Sequence, residues 1–263
     1  MIINNLIGGL GNQLFQISAG YAHAKKIKTE FAINYNIGLG SGQGHHPNRY
    51  KNNLYKNIPS TNRRTFIMYN QEFGYSPIAC LDDLCLIGYF QSSKFFRGYE
   101  KEIKKLFNFP RPLMDRVKKK MSKIKKKKVG IHLRLGDYHD KSHDGVFIKI
   151  NYKDYLDKVL LDFDEEYEFL IFSDDLKSLK KKIDIQNFIN LKNNDEIEDL
   201  FALSQCDEIV MSNSSFSWWG AFLGNEKKRV FCPDKWFGPK GFKNSQDIFE
   251  DSWIKIDVKN ANL

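Results

Sequence analysis

Long apolar runs are missing from this chain. None approaches the roughly 20 residues that a bilayer-spanning helix needs, so no transmembrane segment is expected. The first residues also lack a basic-then-apolar leader pattern, because Gly and polar residues arrive by Gly8. Export is not expected, and the cytoplasm is the expected location. Cysteine is scarce. Cys80, Cys85, Cys206 and Cys232 form neither a CxxC pair nor a Cys/His zinc spacing, which excludes a zinc module and leaves buried, reduced thiols as the expectation. Catalytic signatures are few as well: there is no HExxH and no GxSxG. Gly9-Leu-Gly11-Asn-Gln-Leu14 lacks the third glycine of a dinucleotide fingerprint, and no Gly-Lys-Ser/Thr follows to make a P-loop. Asp162-Phe-Asp164 has the DxD spacing of metal–nucleotide sites, but it sits in the acidic stretch 162–166 and reads as a solvated turn. No metal site is expected.

Acidic residues are outnumbered, 32 against 41 Lys and Arg, and the net charge of +9 favours anionic partners. Much of the excess lies in Lys118-Lys-Lys-Met-Ser-Lys-Ile-Lys-Lys-Lys-Lys128. Such a run reads first as a solvated helix or linker. Its functional alternative is peripheral contact with anionic lipid at the inner face of the cell membrane, at about 1 kcal/mol per cation near the surface. No aromatics are interleaved with these lysines, so nucleic acid is not an expected partner. Together with the Pro110/Pro112 pair, the run suggests a division into a domain over 1–112, a basic linker over 113–128 and a second domain over 129–263.

Strand and helix patterns alternate along the chain. Strands are expected over 2–7, 31–35, 84–90, 168–172, 208–211 and 229–231, and helices over 14–26, 99–107, 193–205 and 216–223. That alternation implies a parallel α/β sheet in each half. The Gly-rich stretch 38–46 reads as a mobile loop or lid, and 47–80 shows no usable period. Trp218 and Trp219 fall inside an apolar helix and read as core.

The most informative strand is Lys128-Val-Gly-Ile-His-Leu-Arg-Leu-Gly-Asp-Tyr138. With a period of two, His132 and Arg134 share one face, Leu135 joins Val129, Ile131 and Leu133 on the other, and Asp137 follows at the end. Two more strand ends carry polar groups: Asp174/Asp175, and Ser212-Asn-Ser-Ser-Phe-Ser217, which runs into a helix. Ligands of open parallel sheets collect at such carboxyl ends. A guanidinium fork and a helix N-terminus both suit phosphate, and a carboxylate can accept from a base edge or a ribose. The three ends together suggest a nucleotide diphosphate. For Asp174 and Asp175 the competing role is helix capping.

Gly8-Gly-Leu-Gly-Asn-Gln-Leu-Phe-Gln16, Gly88-Tyr-Phe-Gln-Ser92, His132-Leu-Arg-Leu-Gly-Asp-Tyr138 and Ser212-Asn-Ser-Ser-Phe-Ser-Trp-Trp-Gly220 occur in that order. In this the chain resembles the alpha-1,2-fucosyltransferases of glycosyltransferase family 11. The resemblance implies a GT-B-like fold of two Rossmann-like domains facing a cleft. It implies inverting transfer of L-fucose from GDP-fucose to the 2-hydroxyl of a terminal galactose on an oligosaccharide or surface glycan, with no cofactor and no required metal. It also implies that Arg134 neutralises the β-phosphate of departing GDP, with His132, Asn213, Ser214, Ser215 and Phe216 around the nucleotide and Asp174 or Asp175 at guanine. Asn12 would stand where donor meets acceptor. Asp137 is expected either as the base or as a brace for Arg134.

The family motif is usually written HxRRxD, and Leu135 stands in place of the second arginine. Its place on the core face leads to the expectation that Leu135→Arg changes little, whereas Arg134→Ala nearly abolishes transfer. Two other readings stand beside this one: a transferase using a different nucleotide sugar on the same scaffold, and a non-catalytic basic module binding acidic lipid or nucleic acid. The acceptor is expected to be chosen by residues 36–80.

Overall fold

The computed structural model describes residues 1–36, 44–64, 66–136, 143–226 and 228–258. The chain divides into two compact units, Met1–Pro110 with Asn244–Glu250, and Arg111–Lys243 with Asp251–Leu263.

In the first unit, β1 (Ile3–Asn4), β3 (Leu84–Ile87) and β2 (Ile67–Asn70) make a parallel sheet in the order β1-β3-β2. The long helix α1 (Leu10–Lys26) follows β1 and buries Leu14, Phe15, Ile17, Ala19 and Ala22. It starts earlier than apolar spacing predicts, so Asn12 and Gln13 lie in its first turn rather than in a loop. A strand was expected over 31–35, but only isolated bridges form there, Ile2 with Phe31 and Ile33 with Ser60. Helix α2 is Glu100–Leu106.

The second unit is built on six parallel strands: β4 (Lys127–Leu133), β5 (Tyr167–Ser173), β6 (Phe188–Ile189), β7 (Glu208–Met211), β8 (Val230–Pro233) and β9 (Ile254–Ile256). Their spatial order is β6-β5-β4-β7-β8-β9. The chain therefore builds outward from β4 to one side, then returns beside β4 and builds to the other. This is the doubly wound order, and its switch point lies between β4 and β7, where such sheets bind ligands.

Alternation along β4 decides which face meets which helices. Val129, Ile131, Leu133 and Leu135 join one apolar core with Tyr155, Leu156 and Val159 of α4 (Tyr152–Val159) and Leu179 of α5 (Leu176–Lys182). On the opposite face, a side chain at Gly130 would run into Leu203 and Cys206, so glycine there lets α6 (Glu196–Ser204) lie close to the sheet. A capping box, Asp195 with Glu198, starts α6.

The segment 113–128 is not a linker. It contains most of α3 (Arg111–Met121) and the beginning of β4. Leu113, Val117 and Met121 recur at helical spacing and are buried. Arg116 pairs with Glu198 at 2.8 Å, and Lys120 donates to the Lys192 carbonyl at 3.1 Å. An apolar stripe under the lysines makes this an integral helix, while Lys118, Lys119, Lys123, Lys125 and Lys126 stay exposed. Cys85, Cys206 and Cys232 are buried and free, but Cys80 is exposed, against expectation. Trp218 and Trp219 are fully buried. Among the described residues no helix is long and apolar enough to cross a membrane.

Candidate active site at the strand switch point

Register brings the polar strand ends together. His132 pairs with Phe172 on one side and Met211 on the other, and Leu133 pairs with Ser173. Arg134 and Asp174 stand one step beyond Leu133 and Ser173, and Ser212 stands one step beyond Met211. Arg134 Nε forms an ion pair with Asp174 Oδ2 at 3.2 Å. The other carboxylate oxygen, Oδ1, accepts the Leu135 N–H at 2.9 Å. Asp174 thus holds both the guanidinium and the backbone that carries it. A side chain at Gly136 would collide with the same carboxylate.

Ser212 closes the seam from the β7 side. Its N–H donates to the His132 carbonyl at 2.9 Å, and its Oγ accepts the Arg134 N–H at 3.3 Å. The Oγ is also 3.4 Å from His132 Nδ1. Tyr152, at the start of α4, donates its hydroxyl to the Arg134 carbonyl. Ser212 and Tyr152 were not singled out by sequence reasoning. Ser212 lay within the noted motif, but a strand-to-strand brace has no signature of its own.

His132 is buried, with its ring 5.1 Å from that of Phe216. Burial, helped by the nearby Arg134 charge, pushes its pKa down to about 3. It is therefore a neutral imidazole throughout the physiological range and does not serve as a cation for phosphate.

Helix α7 (Ser215–Phe222) starts three residues after Ser212. Its N-cap residue, Ser214, makes no side-chain capping bond, so the hydroxyl surplus is not explained by capping. Ser215 and Phe216 are partly exposed at this end, while Ser214 is nearly covered. The dipole of α7 and its first-turn N–H groups favour an anion here.

Two expected ligand contacts are placed otherwise. Asn213 is fully buried, and its amide donates to the carbonyls of Trp236 at 2.8 Å and Ile148 at 3.3 Å; it ties the turn to neighbouring segments rather than lining a surface. Asp175 caps α5, its Oδ1 accepting the Ser178 N–H at 3.0 Å. The hydrogen bonds to Ser178 hold its carboxyl below the usual range. Asp137 lies outside the described residues, as does most of the stretch expected as a lid.

The Gly-rich motif of the first unit has its own geometry. Gly8 has φ +77, and a side chain there would collide with the Asn12 amide. Gln13 donates to the carbonyls of Gly8 at 3.0 Å and His45 at 2.8 Å and accepts from Tyr55 Oη at 3.1 Å. Gln16 closes a two-way bond with the backbone of Ile7. Both glutamines are structural. Asn12 Oδ1 accepts from Gln91 Nε2 at 2.6 Å. Among the described residues no three His, Cys, Asp or Glu side chains cluster as metal ligands.

A half-buried cation, a helix start without a side-chain cap and a carboxylate brace stand together at a doubly wound switch point. Known proteins resemble this chain in sequence and in fold. The O-antigen biosynthesis glycosyltransferase WbnK of Escherichia coli is 27% identical, with 95% of this chain and 99% of WbnK covered. An alpha-1,2-colitosyltransferase of Escherichia coli is 25% identical, with 98% and 99% covered. The NodZ alpha-1,6-fucosyltransferase crystallised with GDP shares the fold at a TM-score of 0.59 and 10% identity, with 89% of this chain and 94% of NodZ covered. NodZ from Bradyrhizobium superposes at 0.58. The two parallel α/β units are thus GT-B-like. The model of the family described as Glycosyl transferase family 11 matches residues 51–257, and the chain belongs to that family.

Proposed function

We propose that this glycosyltransferase moves L-fucose from GDP-fucose to the 2-hydroxyl of a terminal galactose on an oligosaccharide or surface glycan, with inversion and without a metal. The observation that carries the reading is Arg134, held by Asp174 beside the uncapped start of α7. Breaking the fucosyl–phosphate bond leaves negative charge on GDP. A braced cation and fixed N–H dipoles stabilise that charge without reorganising, usually the largest single catalytic effect. They take the place of the divalent ion that a DxD enzyme would use. His132 positions Phe216 and the switch-point backbone as a neutral group. Asp174, engaged by Arg134, acts first as its brace, and any contact with guanine is secondary. The acceptor hydroxyl attacks from the opposite face. A base assists such attacks by about 10²- to 10⁴-fold, and Asp137 is our candidate.

The test is transfer from GDP-fucose to a panel of galactose-terminated oligosaccharides, with and without EDTA. Transfer that survives chelation and yields the alpha-1,2 linkage supports the proposal. Loss of activity on chelation sinks the metal-free mechanism. A second reading, another nucleotide sugar as donor, is favoured by the likeness to a colitosyltransferase over nearly the whole chain. Donor competition separates the two. The exposed Lys118, Lys119, Lys123, Lys125 and Lys126 support a peripheral contact with anionic lipid.

A further inference from the structure

We infer that Gln91 is a positioning residue that fixes which way round the Asn12 amide faces, so that Asn12 meets a sugar oxygen through its N–H. The inference rests on the reading of Asn12 as part of the transfer site, and it concerns groups within the first unit alone.

Three observations converge. Gln91 Nε2 donates to Asn12 Oδ1 at 2.6 Å, across 79 positions of sequence. An Nε2 can only donate, so the oxygen end of Asn12 must face Gln91. The nitrogen end of Asn12 lies against the bare Cα of Gly8, where any side chain would collide with Nδ2. Gly8 is itself in the left-handed region, at φ +77. The amide is therefore located at both ends.

The third observation concerns what aims Gln91. The residue before it, Phe90, has φ +52, a conformation that bulky side chains adopt rarely and under strain. The strain is held by packing: Phe90 is buried, with its ring 5.1 Å from Phe95. The Ser92 N–H returns to the Phe90 carbonyl at 2.8 Å, and Ser92 Oγ accepts the Lys94 N–H at 3.3 Å. Strain of this kind persists only where the surroundings enforce it. Here it turns the chain at the end of β3 and brings Gln91 to Asn12.

The chemical consequence is specific. With its oxygen turned to Gln91, Asn12 holds an acceptor or donor sugar oxygen through N–H, and an amide is too weakly basic to draw a proton from the attacking hydroxyl. Asn12 orients, and the base is another group.

The experiment is a double-mutant cycle with a spectroscopic control. Gln91→Ala is expected to lower kcat roughly tenfold through lost orientation, with KM for the donor unchanged. Asn12→Ala is expected to lower kcat by about 10²-fold, as loss of one preorganised donor does. The double variant should be no worse than Asn12→Ala, because Gln91 acts only through Asn12. Gln91→Glu, which cannot donate, should fall at least as far as Gln91→Ala. Multiplicative losses, or a Gln91→Ala enzyme with wild-type kcat, would overturn the inference. In 15N spectra the Asn12 side-chain amide pair, assigned by its loss in Asn12→Ala, should shift and broaden in Gln91→Ala. An unmoved pair overturns the inference whatever sugar is transferred. Failure of the wild type to use GDP-fucose sinks the proposed function instead, and leaves this spectral readout to decide on Gln91.

Discussion

Asp174 holds Arg134 twice, through the guanidinium Nε at 3.2 Å and through the next backbone N–H, that of Leu135, at 2.9 Å. The two residues are 40 positions apart in sequence, and parallel pairing of β4 with β5 brings them together. Arg134→Ala is expected to lower kcat by about 10²- to 10³-fold, the loss typical of one preorganised charge-stabilising group. Asp174→Asn keeps an acceptor for the Leu135 N–H but drops the charge that braces Arg134. It should lower kcat by roughly tenfold. Steady-state kinetics with GDP-fucose check both, and a Asp174→Asn enzyme with unchanged kcat would show that Arg134 needs no brace.

Leu135 revises a sequence-based expectation. It is only 2% exposed and sits in the core with Val129, Ile131 and Leu133. Leu135→Arg would put an unpaired charge in that core, so the change expected to be silent should destabilise the fold by several kcal/mol. Leu135→Ala should cost about 2–5 kcal/mol through the cavity it leaves. Urea denaturation measures both. A Leu135→Arg protein as stable as wild type would mean that position 135 can turn outward.

Stability should fall as the solution is acidified below neutrality. The unfolded His132 protonates near its ordinary value of 6.5, but in the folded chain it stays neutral until about pH 3. Between those values the unfolded state binds the extra proton, so stability rises with pH through this window and is complete above it. The slope from this one group is at most about 1.4 kcal/mol per pH unit. Burial lowers the His23 pKa as well and works in the same direction, whereas Asp199, raised to about 6 by burial, opposes it between its ordinary value and 6. Unfolding free energies of wild type and His132→Phe at pH 7 and pH 5 test this. The variant should lose less on acidification, and equal losses would contradict the account.

The lysines of α3 and the following turn give a salt-sensitive expectation. Vesicles containing phosphatidylserine should bind the protein at low ionic strength and release it at high salt. Replacing Lys118, Lys119, Lys123, Lys125 and Lys126 with Gln should weaken binding without loss of fold, since α3 is held by Leu113, Val117 and Met121. Undiminished binding would place the contact elsewhere.

What could be read from the sequence was what alternates or repeats locally. The β4 alternation located His132, Arg134 and Leu135 on their faces, and the polar ends of β5 and β7 were visible as departures from apolar runs. Strand β2 was missed because Ile67 and Met68 lie exposed on a sheet edge and leave no buried stripe. The lysine run was read as a solvated helix or linker, and the buried stripe of Leu113, Val117 and Met121 that makes α3 integral was overlooked beneath its lysines. The brace on Arg134 was sought at Asp137, its neighbour in sequence, and Asp174 supplies one across the sheet. Capping by Asp175 and the burial of Asn213 also depend on contacts that one-dimensional spacing does not encode.

The central claim is that Arg134, at the switch point of the second unit, holds the diphosphate of the donor. Titration of GDP into wild type and Arg134→Ala by calorimetry, at one fixed salt concentration and with EDTA present, tests it most directly. The account predicts one saturable GDP site in the wild type and at least about a tenfold weaker one in the variant, the size of a lost charged hydrogen bond. Equal affinity in the two proteins would contradict it.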